Sequence, residues 1–276
     1  MVEWMRSQNL ELSTNTKIII PPHELDVVIP EHSLAIEYCG LYWHSEQMNR
    51  GKEYHRNKYE KCKHAGIRLI TLYEDEWTTK QELIKTKLSH IMGISKQHKV
   101  YARTTTIIEV DIDTRRHFFN TNHIQGDGTG SLCYGLLHHG ELIACMAFKR
   151  RSDKIYELTR YATSCIVAGG FSKLLKHFTK VNKWDQIISF ADLRWSDGTM
   201  YQANGWILDS VLPPDYYYSP DGNVRVHKFN YRRKYLPKML KEFDPNKSEW
   251  ENCKANRVYR IWDCGKQRWI MNNPLV

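Results

Sequence analysis

The sequence has no apolar run that could cross a bilayer: the longest, around Lys17 to Pro22, falls far short of the ~20 residues a membrane helix needs. It also has no C-x-x-C pair. Its seven cysteines (Cys39, Cys62, Cys133, Cys145, Cys165, Cys253 and Cys264) are odd in number and scattered through apolar stretches. That spacing speaks against a disulfide framework and against a zinc knuckle, and for free thiols buried in a reducing compartment. Residues 1–6 lack a basic segment followed by an apolar core, so no signal peptide is expected. There is no internal repeat and no low-complexity tract. Acidic residues are outnumbered, 31 against 40 Lys and Arg, for a net charge of +9. Each phosphate that such a surface neutralises releases counterions, so the balance favours phosphate-bearing partners. A cytoplasmic protein with neither a membrane nor a disulfide-linked partner is expected.

What is present is an ordinary globular composition, 41% hydrophobic over 276 residues, enough for one large domain or two modest ones. The hydrophobic pattern predicts an N-terminal helix over 1–12 and a short strand at Lys17–Ile20 closed by Pro21-Pro22. Two further strands, Leu25 to Pro30 and Leu34 to Gly40, form a hairpin around Glu31-His32. A basic helix over 46–65 stops at Gly66, a strand runs from Ile67 to Tyr73, and a helix from Thr79 reaches Met92. After a polar linker at 93–99 the pattern restarts with strands, a Gly169-Gly170 turn, a helix at Ser172–Val181 and a buried strand at Ile187–Ala191. An irregular tail rich in Tyr and Arg follows. The expectation is a mixed α/β chain of two domains, 1–95 and 101–276, the first a small sheet flanked by helices.

With Glu31-His32 as the turn, Asp26 faces Glu37 across the hairpin, Cβ atoms about 4.5–5.5 Å apart. Val28, Ala35 and Cys39 share their face, while Leu25, Val27, Ile29, Leu34, Ile36 and Tyr38 line the other. Two opposed carboxylates are costly unless something offsets them, and a hard divalent cation is a natural partner. Equally, the pair can be two solvated acids on an exposed face. His44 follows just past the strand end, placed to act as a general base or to hold a phosphate, although a lone histidine is more often a satisfied surface or core residue. Trp43 has two readings, a plug for the core or a stacking surface for bases. The next helix offers Arg56 and Lys58 among cations of one sign, which suit a DNA backbone or a merely solvated face.

Residues Glu24–Pro30, Leu34–His44 and Gly66–Ile70 together resemble the very short patch repair (Vsr-like) endonucleases and, more closely, phage homing endonucleases of the EDxHD type in the PD-(D/E)xK superfamily. The resemblance implies a site-specific, homing-type DNA endonuclease, phage-encoded and working in a bacterial host cell. It implies magnesium or manganese held by Asp26 and Glu37, with His44 assisting and Tyr42 and Trp43 intercalating near the cut. Cys39 stands at the superfamily's lysine position, His55 where a late aspartate is usual, and Glu3 is the candidate for the early glutamate. The repair enzymes' structural zinc site has no counterpart. Double-stranded DNA is the partner this implies, and a homodimer on DNA is left open.

In the second domain, Ala168–Lys173 lies between a strand and a helix, so its backbone N–H groups suit a phosphate, or simply a tight connection. Together with Glu157–Tyr161, the runs Ser189–Gly198 and Tyr201–Trp206 resemble the GNAT-like fold of Mom-type DNA modification proteins. That implies a GNAT-like fold and does not by itself imply bound acyl-CoA. Arg232 and Arg233, among tyrosines in the tail, suit nucleic-acid contact or an ordinary basic surface. The alternatives to an endonuclease are a DNA-modifying, acyltransferase-like protein and a DNA-binding protein without catalysis.

Overall fold

Val27, Ile29 and Ile36 are buried because their strands lie inside a sheet rather than at its edge. In this computed structural model, which describes residues 1–274, α1 (Val2–Ser7) leads into β1 (Ser13–Thr16), β2 (Leu25–Ile29) and β3 (Leu34–Cys39). Helix α2 (Tyr54–His64) then crosses over to β4 (Arg68–Tyr73). The four strands stand in order β1-β2-β3-β4, antiparallel except for the parallel pair β3 and β4, which needs such a crossover.

The hairpin register is Val27 to Ile36, Val28 to Ala35 and Ile29 to Leu34. Its turn is longer than two residues: a 3-10 turn spans Pro30–His32 and Ser33 takes a left-handed conformation. The first helix ends at Ser7 rather than near 12. The edge strand is Ser13–Thr16, not Lys17–Ile20. Pairing at an exposed edge is made by backbone groups, so polar Ser13 and Thr14 serve there, whereas Ile18 is left 89% exposed. The basic helix begins only at Tyr54, after a 3-10 turn at Glu46–Met48 and a left-handed Asn49.

Helix α3 (Glu74–Ile91) loses helical geometry at Lys80, where one compact unit ends and the next begins. The first unit is Met1–Thr79 with Asp192–Trp195 and Leu212–Lys266; the second is Lys80–Ala191 with Ser196–Val211 and the residues from Gln267 onward. The division therefore differs from a cut at 95–101, and much of the C-terminal segment belongs with the N-terminal sheet.

The second unit continues through β5 (Lys99–Tyr101), β6 (Thr106–Glu109), α4 (Ile112–Asn122), β7 (Leu132–His138), β8 (Glu141–Ser152) and β9 (Ile155–Thr163). Then come β10 (Ile166–Ala168), α5 (Gly170–Val181), β11 (Gln186–Asp192), α6 (Thr199–Gln202) and β12 (Ile207–Leu212). The chain passes through β13 (Tyr216–Ser219), β14 (Val226–His227), α7 (Leu236–Met239), α8 (Glu249–Ala255) and β15 (Tyr259–Trp262) before β16 (Lys266–Asn272). The supposedly irregular tail is thus ordered, with β14-β13-β15 forming a sheet over Tyr218, Tyr231, Leu236, Cys253 and Val258. Strand β16 sits between β12 and β11 in a seven-stranded sheet of order β12-β16-β11-β9-β8-β7-β6. Helix α5 packs Leu174, Leu175 and Phe178 into that sheet's core, the Phe178 ring stacked 3.7 Å from that of Phe148. Among the described residues, no helix is long and apolar enough to cross a membrane.

Candidate functional site

In the first unit, β3 carries Glu37 and Cys39 on the face that α2 covers, where Cys62 packs on Val28, Ala35 and Leu69. The face expected to present two solvated or metal-binding acids is therefore roofed. Glu37 is 3% exposed, and the ammonium of Lys58, reaching from α2, pairs with its Oε1. Lys58 was expected on DNA; it is instead buried and spent on this pair. Burial and the neighbouring Asp26 charge raise the Glu37 carboxyl to about 7, against the pull of Lys58. Burial opposes the charge on Lys58, yet attraction to Glu37 outweighs it and holds that amine above its ordinary value. Asp26 is partly buried and accepts the Tyr38 N–H at 2.7 Å; desolvation raises its carboxyl, against that hydrogen bond and Lys58.

Next to the ion pair lies a second group. The His44 and His55 rings stack with centroids 5.1 Å apart, and His55 Nδ1 is 4.0 Å from Cys39 Sγ. Burial lowers His44 to about 4, helped by Lys58 and Arg50, and lowers His55 well below the usual imidazole range. His55 is 2% exposed. Burial likewise raises the Cys39 thiol. Glu3 and Asp26 both line an open hollow, together with Arg6, Asn15 and Trp77. Trp43, 62% exposed and edge-on to Tyr42 at 5.1 Å, is no core plug. Arg56 is committed to Glu60 at 2.7 Å and to the Cys264 carbonyl at 3.1 Å. In the C-terminal segment, Arg232 lies over the Phe229 ring at 4.3 Å and Arg233 donates to the Pro245 carbonyl.

Sequence reasoning missed a buried charge cluster in the same unit. Arg194 contacts Asp192 at 2.9 Å and Glu76 at 3.0 Å, and Arg225 contacts Asp75 at 2.9 Å and Glu76 at 2.8 Å. Apart from Asp192, two residues from Arg194, the partners are more than a hundred residues apart in sequence, so no local pattern announces the cluster.

In the second unit, β9 and β11 run parallel but pair only from Ile155/Gln186 to Leu158/Ser189. Both run on, to Thr163 and Asp192, without pairing to each other. Immediately after Leu158 the β8–β9 register slips, leaving Thr159 as a bulge whose hydroxyl donates to the Ala147 carbonyl at 3.1 Å. A bulge re-aims the strand and ends its pairing. At the point of parting, Ser189 Oγ donates to the Leu158 carbonyl at 2.9 Å and meets Tyr201 Oη at 2.9 Å. Burial raises the Tyr201 phenol, against its hydrogen bond to Ser189. Gly198 positions α6 and hence Tyr201: its φ is +84°, and an added Cβ would come within 2.4 Å of the Trp269 ring. Ser189 and Tyr201 fall in the runs Ser189–Gly198 and Tyr201–Trp206, whose local pattern marks neither as a site residue.

The Gly169-Gly170 turn does cap a helix. Gly169 is left-handed and α5 starts at Gly170. One of the first N–H groups is taken within the chain, since Phe171 N–H donates to Tyr161 Oη. Lys173, the cation of the turn, donates to the Ala102 and Thr105 carbonyls.

No protein-family model matches this chain. No curated protein matches it. Solved structures that it resembles include the IAA acetyltransferase from Bacillus cereus ATCC 14579, at 15% identity over 61% of this chain and 99% of that one, TM-score 0.33. A GNAT family acetyltransferase from Elizabethkingia anophelis with acetyl-CoA bound aligns at 13% identity over 62% and 99%, TM-score 0.36. A Bacillus subtilis acetyltransferase in complex with CoA aligns at 14% identity over 61% and 99%, TM-score 0.37. The likeness is one of fold alone, and the chain has a mixed α/β structure.

The expectation of a site-specific DNA endonuclease with magnesium or manganese at Asp26 and Glu37 is overturned at the site itself, and the solved structures above are acetyltransferases, two of them with CoA or acetyl-CoA. No support appears for the Vsr-like or PD-(D/E)xK assignment. The physical reason agrees: the Glu37 carboxylate is offset by the buried Lys58 ammonium, and the Asp26 carboxylate already accepts a backbone N–H.

Proposed function

We propose that the second unit is an acyl-CoA-dependent acyltransferase acting on an amine. The observation that carries this reading is the parting of β9 from β11 at Leu158 and Ser189, with Tyr201 Oη and Ser189 Oγ placed at the apex. Beyond the bulge at Thr159, β9 has backbone groups that no longer pair with β11. An extended amide-bearing arm is the kind of ligand that adds to such an edge. An acyl thioester, once bound, supplies an activated carbonyl and a thiol leaving group. The residues of this chain fit it at the apex, where burial keeps the Tyr201 phenol protonated and able to give a proton. At the α5 N-terminus the fit is narrower, because Tyr161 already occupies the Phe171 N–H. Ser189 orients the phenol, and its own position is fixed by the Leu158 carbonyl.

The net charge of +9, the exposed Tyr42 and Trp43, and the resemblance to Mom-type DNA modification proteins favour an amine of a nucleobase as acceptor, with double-stranded DNA as partner. The seven buried free thiols suit the cytoplasm as the place of action. Isothermal titration of the full chain with acetyl-CoA tests the donor: saturable binding is expected, and its absence sinks the reading. Tyr201→Phe should retain that binding while slowing acyl transfer by about 10²–10⁴-fold. An unchanged rate would remove Tyr201 from the chemistry.

A further inference from the structure

Three donors of a kind that binds borderline-soft metals converge in the first unit. Cys39 comes from the end of β3, His44 from the segment after it, and His55 from the first turn of α2. One ligand atom of each lies within 4.8 Å of the other two. Two observations mark the group as more than a chance meeting. His44 Nδ1 and His55 Nε2 are both buried and have no hydrogen-bond partner, and His55 as a whole is 2% exposed. Buried imidazole nitrogens are nearly always satisfied, so the orphaned His44 Nδ1 calls for a missing partner, beside a His55 that meets Cys39 through its other nitrogen, Nδ1. The stacked arrangement of the rings also leaves neither able to satisfy the other.

We propose that Cys39, His44 and His55 form a site for a zinc-type divalent transition metal. With Zn–S near 2.3 Å and Zn–N near 2.0–2.1 Å, tetrahedral geometry puts sulfur and nitrogen roughly 3.6 Å apart. The Cys39 Sγ to His55 Nδ1 separation is 4.0 Å, so a side-chain adjustment of a few tenths of an ångström on that edge brings the pair to ligand spacing. One sulfur and two nitrogens favour zinc over magnesium, which prefers oxygen. The site is distinct from the overturned magnesium pair, because Asp26 and Glu37 are not among its donors. Three protein ligands leave a fourth position, and the exposed Tyr42-Trp43 pair sits on the very segment that His44 would tie to β3 and α2. Sequence spacing hides this site, since its ligands are separated by five and eleven residues and belong to a strand, a loop and a helix.

The test is metal uptake by the full-length chain after chelator treatment and reduction. One zinc per chain is expected. Cobalt(II) should give the intense visible bands of a tetrahedral site together with a thiolate-to-cobalt charge-transfer band. Cys39→Ser should abolish the charge-transfer band, and His44→Asn, at a position that is only partly buried, should lose stoichiometric uptake while remaining folded by circular dichroism. Zinc at about a hundredfold over its Kd should raise the wild-type Tm by roughly 5 °C or more. A wild-type chain that retains no zinc and gives no cobalt spectrum overturns the proposal, and that measurement does not depend on any variant folding. Stoichiometric metal retained equally by Cys39→Ser and His44→Asn overturns it as well, by placing the metal elsewhere.

Discussion

The two units bury their polar groups in opposite ways. The first encloses charges and imidazoles: Glu37 with Lys58, Glu76 with two arginines, and His55 beside Cys39. The second encloses mainly hydrocarbon, with one buried arginine, Arg115, paired to Asp127, and its most telling buried polar atoms are two hydroxyls, on Ser189 and Tyr201. Buried charge depends on partners, whereas a buried hydroxyl is satisfied by one carbonyl. The first unit should therefore be sensitive to charge and pH, and the second to shape.

The sharpest way to break that comparison is Arg194→Met. It removes the guanidinium that contacts both Asp192 and Glu76 and leaves a buried carboxylate short of a partner. Removing one member of such a cluster costs about 3–5 kcal/mol. Urea unfolding should show the loss as a lower midpoint; a shift under 1 kcal/mol would mean that the cluster is far more solvated than its 3% exposure at Arg194 indicates.

Next comes pH. Burial tends to raise the Glu76 carboxyl, but Arg194 and Arg225 outweigh it and hold it at about 2, below its ordinary 4.5. A depressed acid contributes stability that is present above the unfolded value and lost as pH falls through the folded one. The contribution is on the order of 3 kcal/mol, and it should drain between about pH 4.5 and 2. Glu76→Gln should be less stable at neutral pH and should show a flatter acid limb in the same titration. An acid limb identical to wild type would assign the loss to other carboxylates.

On the other side of the comparison stands Gly198→Ala. The left-handed φ and the Trp269 ring both resist a methyl group there. A cost of roughly 1–3 kcal/mol is expected, nearly independent of pH, and acetyl-CoA binding should weaken with it because Tyr201 moves. A pH-dependent loss would blur the distinction between the units.

Legibility in the sequence follows the same division. The hairpin from Leu25 to Cys39 could be read because alternation and a turn fix register locally. The Gly169-Gly170 turn could be read because strand, glycine and helix follow one another. What could not be read was every partner brought from afar. Lys58 lies 21 residues from Glu37, and Arg194 lies 118 from Glu76. A pattern search for opposed acids registers the acids and cannot register the amine that neutralises them, which is why Asp26 and Glu37 looked like a metal pair. Strand β1 escaped for a different reason: its side chains are exposed, so its hydrophobic pattern is blank.

The smallest effect on stability, and the most informative about function, is expected at Trp43. A tryptophan in a core costs about 3–5 kcal/mol when cut to alanine. Trp43 is 62% exposed and leans edge-on against Tyr42, so Trp43→Ala should stay within about 0.5 kcal/mol of wild type in the melting curve. If the ring is there to stack on bases, the same variant should weaken DNA binding by about 1–3 kcal/mol in a fluorescence titration at fixed salt. Stability and binding would then separate at one residue. A variant that melts early and binds normally would place Trp43 in the packing of the first unit after all, and would remove the strongest aromatic candidate for contact with a nucleic acid.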